Sequence, residues 1–211
     1  RPLKTLGIEQ LDPILIDLGW SSEQFEKSGR GLSFGSDEPL IMTLEKDSED
    51  SITARDIVNS LGEVELDDLI YTLGEEQFSR RIAGAVVEAR RVKPIETTKE
   101  LVAIIEKAVP KFYLFRRIHP ATKTFQALRI KVNDELGALR EGLEKGYEVL
   151  KRGGRFAVIT FHSLEDRIVK QTFREWAHEG RGSVLTKKPI VASAEEIQRN
   201  KRARSAKLRG F

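Results

Sequence analysis

Asp17 closes the apolar run Pro13-Ile-Leu-Ile-Asp17 and is followed by Leu18-Gly19, so a carboxylate stands at the end of what reads as a strand. There it can meet a cationic ligand group, or it can bond the backbone N–H groups of the turn that follows. Trp20 comes next, an aromatic face on which a nucleobase could stack or which could simply pack at a rim. Ser21-x-x-Gln24 has the spacing of a capping box and opens a helix. Far along the chain, His162 ends a second apolar run, Arg155 to Phe161. An imidazole there can accept or donate a proton, or serve as a hydrogen-bonded helix-entry residue. Arg116, Arg117, Arg129, Lys187 and Lys188, with Arg202, Arg204 and Lys207 in the stretch Arg199 to Phe211, are cations of the kind that contact phosphate.

These groups need elements to position them. Residues 13–17 read as a strand buried on both faces of a parallel sheet, as does Arg155 to Phe161. Residues 28–50 are rich in Gly, Ser and Asp and read as a loop. Helical patterns follow over Thr53 to Leu61, Glu65 to Leu73 and Glu75 to Val92, and then after the capping box Thr97-x-x-Glu100 until Pro110. From Thr122 to Lys151 the residues Phe125, Leu128, Val132, Leu136, Leu139, Leu143, Tyr147 and Leu150 form one stripe at three- and four-residue steps. That spacing predicts a single long helix closed by a left-handed cap at Gly153-Gly154. Ser163-x-x-Asp166 predicts another capped helix, to about Ala177, and Val184 to Val191 a last strand. Strand–helix elements therefore frame a helical block near residues 30–120. The economical architecture is an open α/β sheet with a helical insertion, in which Asp17 and His162 share the crevice at the carboxyl ends of the strands.

Composition narrows the chemistry. The 211 residues contain no cysteine, which excludes disulfides, thiol catalysis and Cys-ligated metal and fits a cytoplasmic location. Three dispersed histidines make a His-based metal site improbable, and no metal is expected. Apolar runs reach only five residues, too short to span a membrane as a helix. Residues 1–76 carry a net charge of −12 and residues 77–211 a net of +15, and the last thirteen residues hold six bases and no acid. A basic half this marked points to a polyanion as much as to a solvated surface.

Several blocks in one order then become specific. Ile14-Leu-Ile-Asp-Leu-Gly-x-Ser-Ser-x-Gln24, Arg30-Gly-x-Ser-Phe34, His119-Pro-Ala-Thr-x-Thr-Phe-Gln-Ala-Leu-Arg-Ile130 and Val132-Asn-Asp-Glu-Leu136 resemble the bacterial 16S rRNA cytosine-N4 methyltransferases, the RsmH or MraW family. So do Phe161-His-Ser-Leu-Glu-Asp-Arg-Ile-Val-Lys170, Leu185-Thr-Lys-Lys-Pro-Ile190 and Arg202-Ala-Arg-Ser-Ala-Lys-Leu-Arg209. The resemblance implies a Rossmann-like class I S-adenosylmethionine methyltransferase sheet, partial here, with an inserted all-helical domain. Residues 1–29 and 121–211 would belong to the methyltransferase core, the latter with a basic C-terminal tail, and residues 30–120 to an RNA-recognition domain.

The implied reaction is methylation of N4 of a cytidine in the decoding region of small-subunit rRNA, with S-adenosyl-L-methionine as cofactor. The free rRNA or the 30S subunit would be the partner, with no membrane; a homodimer stays open. Asp17 and Gln24 match cofactor-binding positions, and His162 and Ser21 fall near the reaction centre. Two departures qualify this. The family's preceding Gly-rich cofactor segment has no counterpart, so the chain reads as the C-terminal two-thirds of the enzyme, expected to bind the cofactor weakly. In Asp37-Glu-Pro-Leu-Ile-Met-Thr-Leu44, moreover, Ile41 and Thr43 replace an acid and a base of the family pattern. The alternative is a non-catalytic RNA- or ribosomal-subunit-binding protein derived from the family, separable by the coding sequence upstream of Arg1.

Overall fold

The computed structural model describes residues 5, 7, 9–19, 28–44 and 51–211. In chain order the elements are β1 (Leu11–Asp17), α1 (Ala54–Ser60), α2 (Glu63–Gly74), α3 (Ser79–Val92), α4 (Thr98–Ala108), α5 (Lys111–Leu114), α6 (Ala121–Asn133) and α7 (Glu135–Val149). Then come β2 (Leu150–Thr160), α8 (Ser163–His178), β3 (Ile190–Val191), α9 (Ala194–Arg199), a 3₁₀ turn (Lys201–Ser205) and β4 (Lys207–Gly210). Two compact units result, one of Arg1–Gly19 with Leu136–Phe211, the other of Trp20–Glu135. The divisions fall at 19/20 and 135/136 rather than at the expected 29/30 and 120/121. The second shift has a clear cause: α6 buries Phe125 and Leu128 in the helical core and so belongs to the insertion.

The first unit is the α/β part. Its sheet runs β1-β2-β4-β3, with β1 parallel to β2 and β4 antiparallel to both of its neighbours. Ile14 pairs with Phe156 and Ile16 with Val158, so these four side chains share one face of the pleat. That face packs with Leu139 and Leu143 of α7 and with Ile168, Val169, Phe173 and Trp176 of α8. The opposite face corrects the expectation of a strand buried on both sides: Leu15 is 64% exposed, and among the described residues no layer covers it.

The glycine pair expected to cap a long helix does something else. The helix has already ended at Val149, and between the Leu11–Leu150 and Pro13–Arg155 pairs the register of β1 and β2 slips. Gly153 takes φ +81°, and a Cβ on Gly154 would lie 2.6 Å from the Asp12 carbonyl oxygen. Both glycines thus serve an irregular strand start. Nor is the basic C-terminus a tail. β4 lies between β2 and β3, Phe156 and Phe211 exchange backbone hydrogen bonds of 2.9 Å, and the Phe211 ring is buried against Phe173 and Trp176. The expected strand over 184–191 shrinks to Ile190–Val191, with one further backbone bond from Leu185 N–H to the Gly210 carbonyl.

The second unit is helical. Leu66, Ile70, Ile82, Val86, Leu101, Ile105, Phe125 and Leu128 from α2, α3, α4 and α6 share one core. Leu40 and Met42 of the preceding loop are fully buried in it. Asp134, at φ +43°, ends α6 and breaks the predicted long helix in two. The stripe is therefore real but serves two cores: Phe125, Leu128 and Val132 pack in the helical unit, Leu136 onward in the sheet unit. Glu75, also left-handed at φ +51°, separates α2 from α3, where the sequence reads a helix already under way. Among the described residues no helix is long and apolar enough to cross a membrane.

Candidate active site

The parallel strands β1 and β2 end side by side. Asp17 registers with Ile159, and the Leu18 N–H donates to the Ile159 carbonyl at 3.1 Å. The next residue must be small, because a Cβ on Gly19 would lie 2.8 Å from the Phe161 ring. Asp17 is exposed, and its Oδ1 accepts the Gly19 N–H at 3.0 Å. This is the turn-forming bond open to an aspartate at that position. Its second oxygen has no partner among the described residues, so an open carboxylate stands at the carboxyl end of β1, where ligands bind in open α/β sheets.

At the end of β2 the chain turns directly into α8, and the cap is His162 rather than Ser163. The His162 Nδ1 accepts the Glu165 N–H at 3.4 Å, while Glu165 Oε2 accepts the backbone N–H groups of Phe161 at 2.8 Å and His162 at 3.2 Å. The capping box is therefore shifted by one residue from the one read in the sequence. An imidazole accepting at Nδ1 carries its proton on Nε2. That nitrogen is buried, 3.0 Å from Glu165 Oε1 but off the line of a hydrogen bond. The Asp166 thereby released pairs instead with β4: Arg209 donates to it at 2.7 and 3.1 Å, and Lys207 approaches to 3.5 Å. Burial alone would raise the Asp166 carboxyl, but the Arg209 hydrogen bonds and charge, helped by Lys207, hold it below the ordinary aspartate value. Neither Glu165 nor Arg209 was singled out as a positioning residue in the sequence. The signal was a Glu three residues after His162, overshadowed by the more usual Ser cap.

Asp17 and His162 thus stand at adjacent strand ends, as expected. Trp20, Ser21 and Gln24 lie outside the described residues. Of the expected phosphate-contact cations, Arg116, Arg117, Lys187, Lys188, Arg202 and Arg204 are exposed. Arg129 differs, since it forms a two-pronged pair with Glu135 at 2.7 and 3.1 Å and its side chain is only 13% exposed. Lys207 is half-buried beside Asp166. Pairing of these two with acids explains part of the local charge without any polyanion. Ile41 and Thr43, the departures from the family pattern, flank the buried Met42 in the helical unit, and Thr43 is itself buried.

Comparison with known proteins bears directly on this arrangement. The chain is 51% identical over 210 residues to the ribosomal RNA small subunit methyltransferase H of Coprothermobacter proteolyticus, covering 99% of this chain and 68% of that protein. It is 50% identical over 205 residues to that of Persephonella marina (97% and 69%) and 53% identical over 207 residues to that of Deinococcus radiodurans (98% and 64%). The chain thus spans about two thirds of the length of these relatives. The strand-end carboxylate, the helical insertion between β1 and β2, and the antiparallel strand within the sheet all lie inside a match to the family model that runs over residues 1–211. This chain belongs to the MraW methylase family, with the α/β fold of a class I S-adenosylmethionine methyltransferase.

Proposed function

We propose that these residues carry out S-adenosylmethionine-dependent methylation of small-subunit ribosomal RNA, at N4 of a cytidine in the decoding region. The observation that carries the reading is identity of 50–53% to small-subunit rRNA methyltransferases over nearly every residue of the chain. The residues present fit a cationic cofactor: Asp17 is exposed at the end of β1 with one carboxylate oxygen unengaged among the described residues. S-adenosylmethionine, when bound, supplies an electrophilic methyl group, and Asp17 with Gln24 would hold it.

The chain's own work is chiefly positioning. The lone pair of a cytidine amine is delocalised into its ring, so the site must orient that nitrogen and take up the proton it sheds. His162 is poorly suited to accept a proton, because its Nδ1 already serves the α8 cap. The Asp17 carboxylate is the better acceptor, and the imidazole holds the turn at which the base would lie. The target cytidine must leave its stack to reach that turn. Exposed cations, Arg116 and Arg117 in one unit and Lys187 and Lys188 in the other, supply phosphate contacts.

The test is tritium transfer from labelled S-adenosylmethionine to small-subunit RNA, run with the protein encoded by the complete reading frame and with the 211 residues alone. Label recovered as N4-methylcytidine with the complete protein, and little with the 211 residues alone, is the expected result. No incorporation by the complete protein, with cofactor binding shown separately, would overturn the reading.

A further inference from the structure

We infer that the surface turn of residues 111–118, in the helical unit, is a stacking platform for unpaired bases of single-stranded RNA; the inference rests on the ribosomal-RNA reading above. Phe115 is 87% exposed and Phe112, one helical turn earlier, 60% exposed, with Leu114 and Ile118 also at the surface. Large apolar side chains grouped in this way on a charged protein mark a contact surface.

The platform is held from beneath. Tyr113, between the two phenylalanines, is buried, and its hydroxyl donates to Glu76 Oε2 at 2.7 Å. Glu76 is fully buried, and its Oε1 accepts the Phe78 N–H at 2.9 Å. The Phe78 ring then meets Tyr113 and Phe112 edge-on, at 4.9 and 6.2 Å between centroids. Arg116 lies over the Tyr113 and Phe112 rings at 4.9 and 6.0 Å, and Arg81 over Phe78 at 5.9 Å. Tyr113 fixed by a buried carboxylate, with Phe112 held against Phe78 and under Arg116, gives the turn a firm base from which the Phe115 ring stands open to solvent.

Charge selects the occupant. Lys111, Arg116 and Arg117 are exposed and have no acidic partner among the described residues. Apolar association with a neutral protein face would leave those cations desolvated, whereas a nucleic-acid backbone neutralises them while its bases cover the rings. Duplex RNA keeps its base faces stacked inside the helix, so unpaired segments are the matching form.

The experiment is fluorescence anisotropy of the chain with a labelled single-stranded oligoribonucleotide and with the corresponding duplex. Phe112→Ala and Phe115→Ala are each expected to weaken single-strand binding about 5- to 150-fold, with the salt slope unchanged. Phe115→Trp is expected to keep the affinity, and Arg117→Gln to reduce the salt slope by about 0.7. Thermal melting checks that the variants fold, which exposure of both rings favours. The proposal is overturned if the wild type ignores the single strand, if both Phe→Ala variants bind like wild type, or if the duplex is bound equally well with the same losses. It is also overturned if Phe115→Ala turns a dimer into a monomer in sedimentation, which would make the surface an interface between copies. Failure of methyl transfer with Phe-dependent binding intact would strike the enzymatic reading and leave the platform standing.

Discussion

Arg209, in the last strand, grips Asp166, in the first turn of α8, with two hydrogen bonds of 2.7 and 3.1 Å, and both side chains are largely buried. The pair fastens the C-terminal strand to the helix that begins beside His162. Removing Arg209 leaves the buried Asp166 with Lys207 alone, at 3.5 Å, so Arg209→Met is expected to cost up to about 3–5 kcal/mol in urea unfolding at neutral pH.

The same pair sets an acid limit. The Asp166 carboxyl titrates below its ordinary value of 3.8 in the folded chain. A depressed carboxyl contributes stability that is fully present above the unfolded pKa and disappears as pH falls through the folded one. The stability difference between wild type and Asp166→Asn should therefore be constant from pH 7 to about 5 and narrow below about pH 4. A difference that stays constant down to pH 2 would contradict the assignment.

Asn133 is a second fastening, within the helical unit. Its side chain accepts the Leu44 N–H and donates to the Met42 carbonyl, both at 2.9 Å. Met42 itself takes φ +59°, a conformation that costs a non-glycine residue about 1–2 kcal/mol and needs such support. Asn133→Ala is expected to lower stability by about 2–4 kcal/mol, both loop bonds being lost together with a third to the Arg129 carbonyl, as a drop in melting temperature. Asn133→Asp, which sets a carboxylate oxygen against the Met42 and Arg129 carbonyls, should be no more stable than Asn133→Ala.

These fastenings explain what could and could not be read from residues alone. The stripe from Phe125 to Leu150 was legible, because helical periodicity records burial. The break at Asp134 was not: one left-handed residue preserves the three- and four-residue rhythm while the two halves pack in different cores. The strand ends carrying Asp17 and His162 were legible from apolar runs ending in a polar group. Burial on only one face of β1 was not, since an apolar residue such as Leu15 records what a strand can bury rather than what covers it. The C-terminal bases read as a tail because charge is local in sequence, whereas the Arg209–Asp166 pair spans 43 positions.

The Glu76–Tyr113 contact gives a prediction about a buried charge. Burial, then the hydrogen bond and charge of Glu76, raises the Tyr113 hydroxyl, which stays a donor at any physiological pH. Tyr113→Phe keeps the ring and removes that donor from a fully buried carboxylate, so about 2–3 kcal/mol of stability should be lost. The double variant Tyr113→Phe with Glu76→Gln should recover part of it, since the charge no longer needs the bond. A chemical-denaturation double-mutant cycle reads both, and additive losses would show that the two groups are not coupled.

His162 poses the sharpest test, because its cap role and any chemical role can be separated. As a cap it satisfies one backbone N–H of α8, and caps are worth about 0.5–2 kcal/mol. His162→Ala should lose that amount, while His162→Asn, a good cap with no titratable group, should restore most of it in thermal melts. If the imidazole acts only through the turn, His162→Asn will also retain methyl transfer to within about tenfold, with the pH profile unchanged. If it carries a proton in the reaction, transfer will fall by the 10²–10⁴ typical of general acid–base catalysis although the protein melts normally. The cap bond at Nδ1 leads us to expect the first outcome. A pH-dependent loss of turnover in a stably folded His162→Asn protein would show instead that Nε2–H, close to Glu165 and without a bond of its own, takes part in the chemistry.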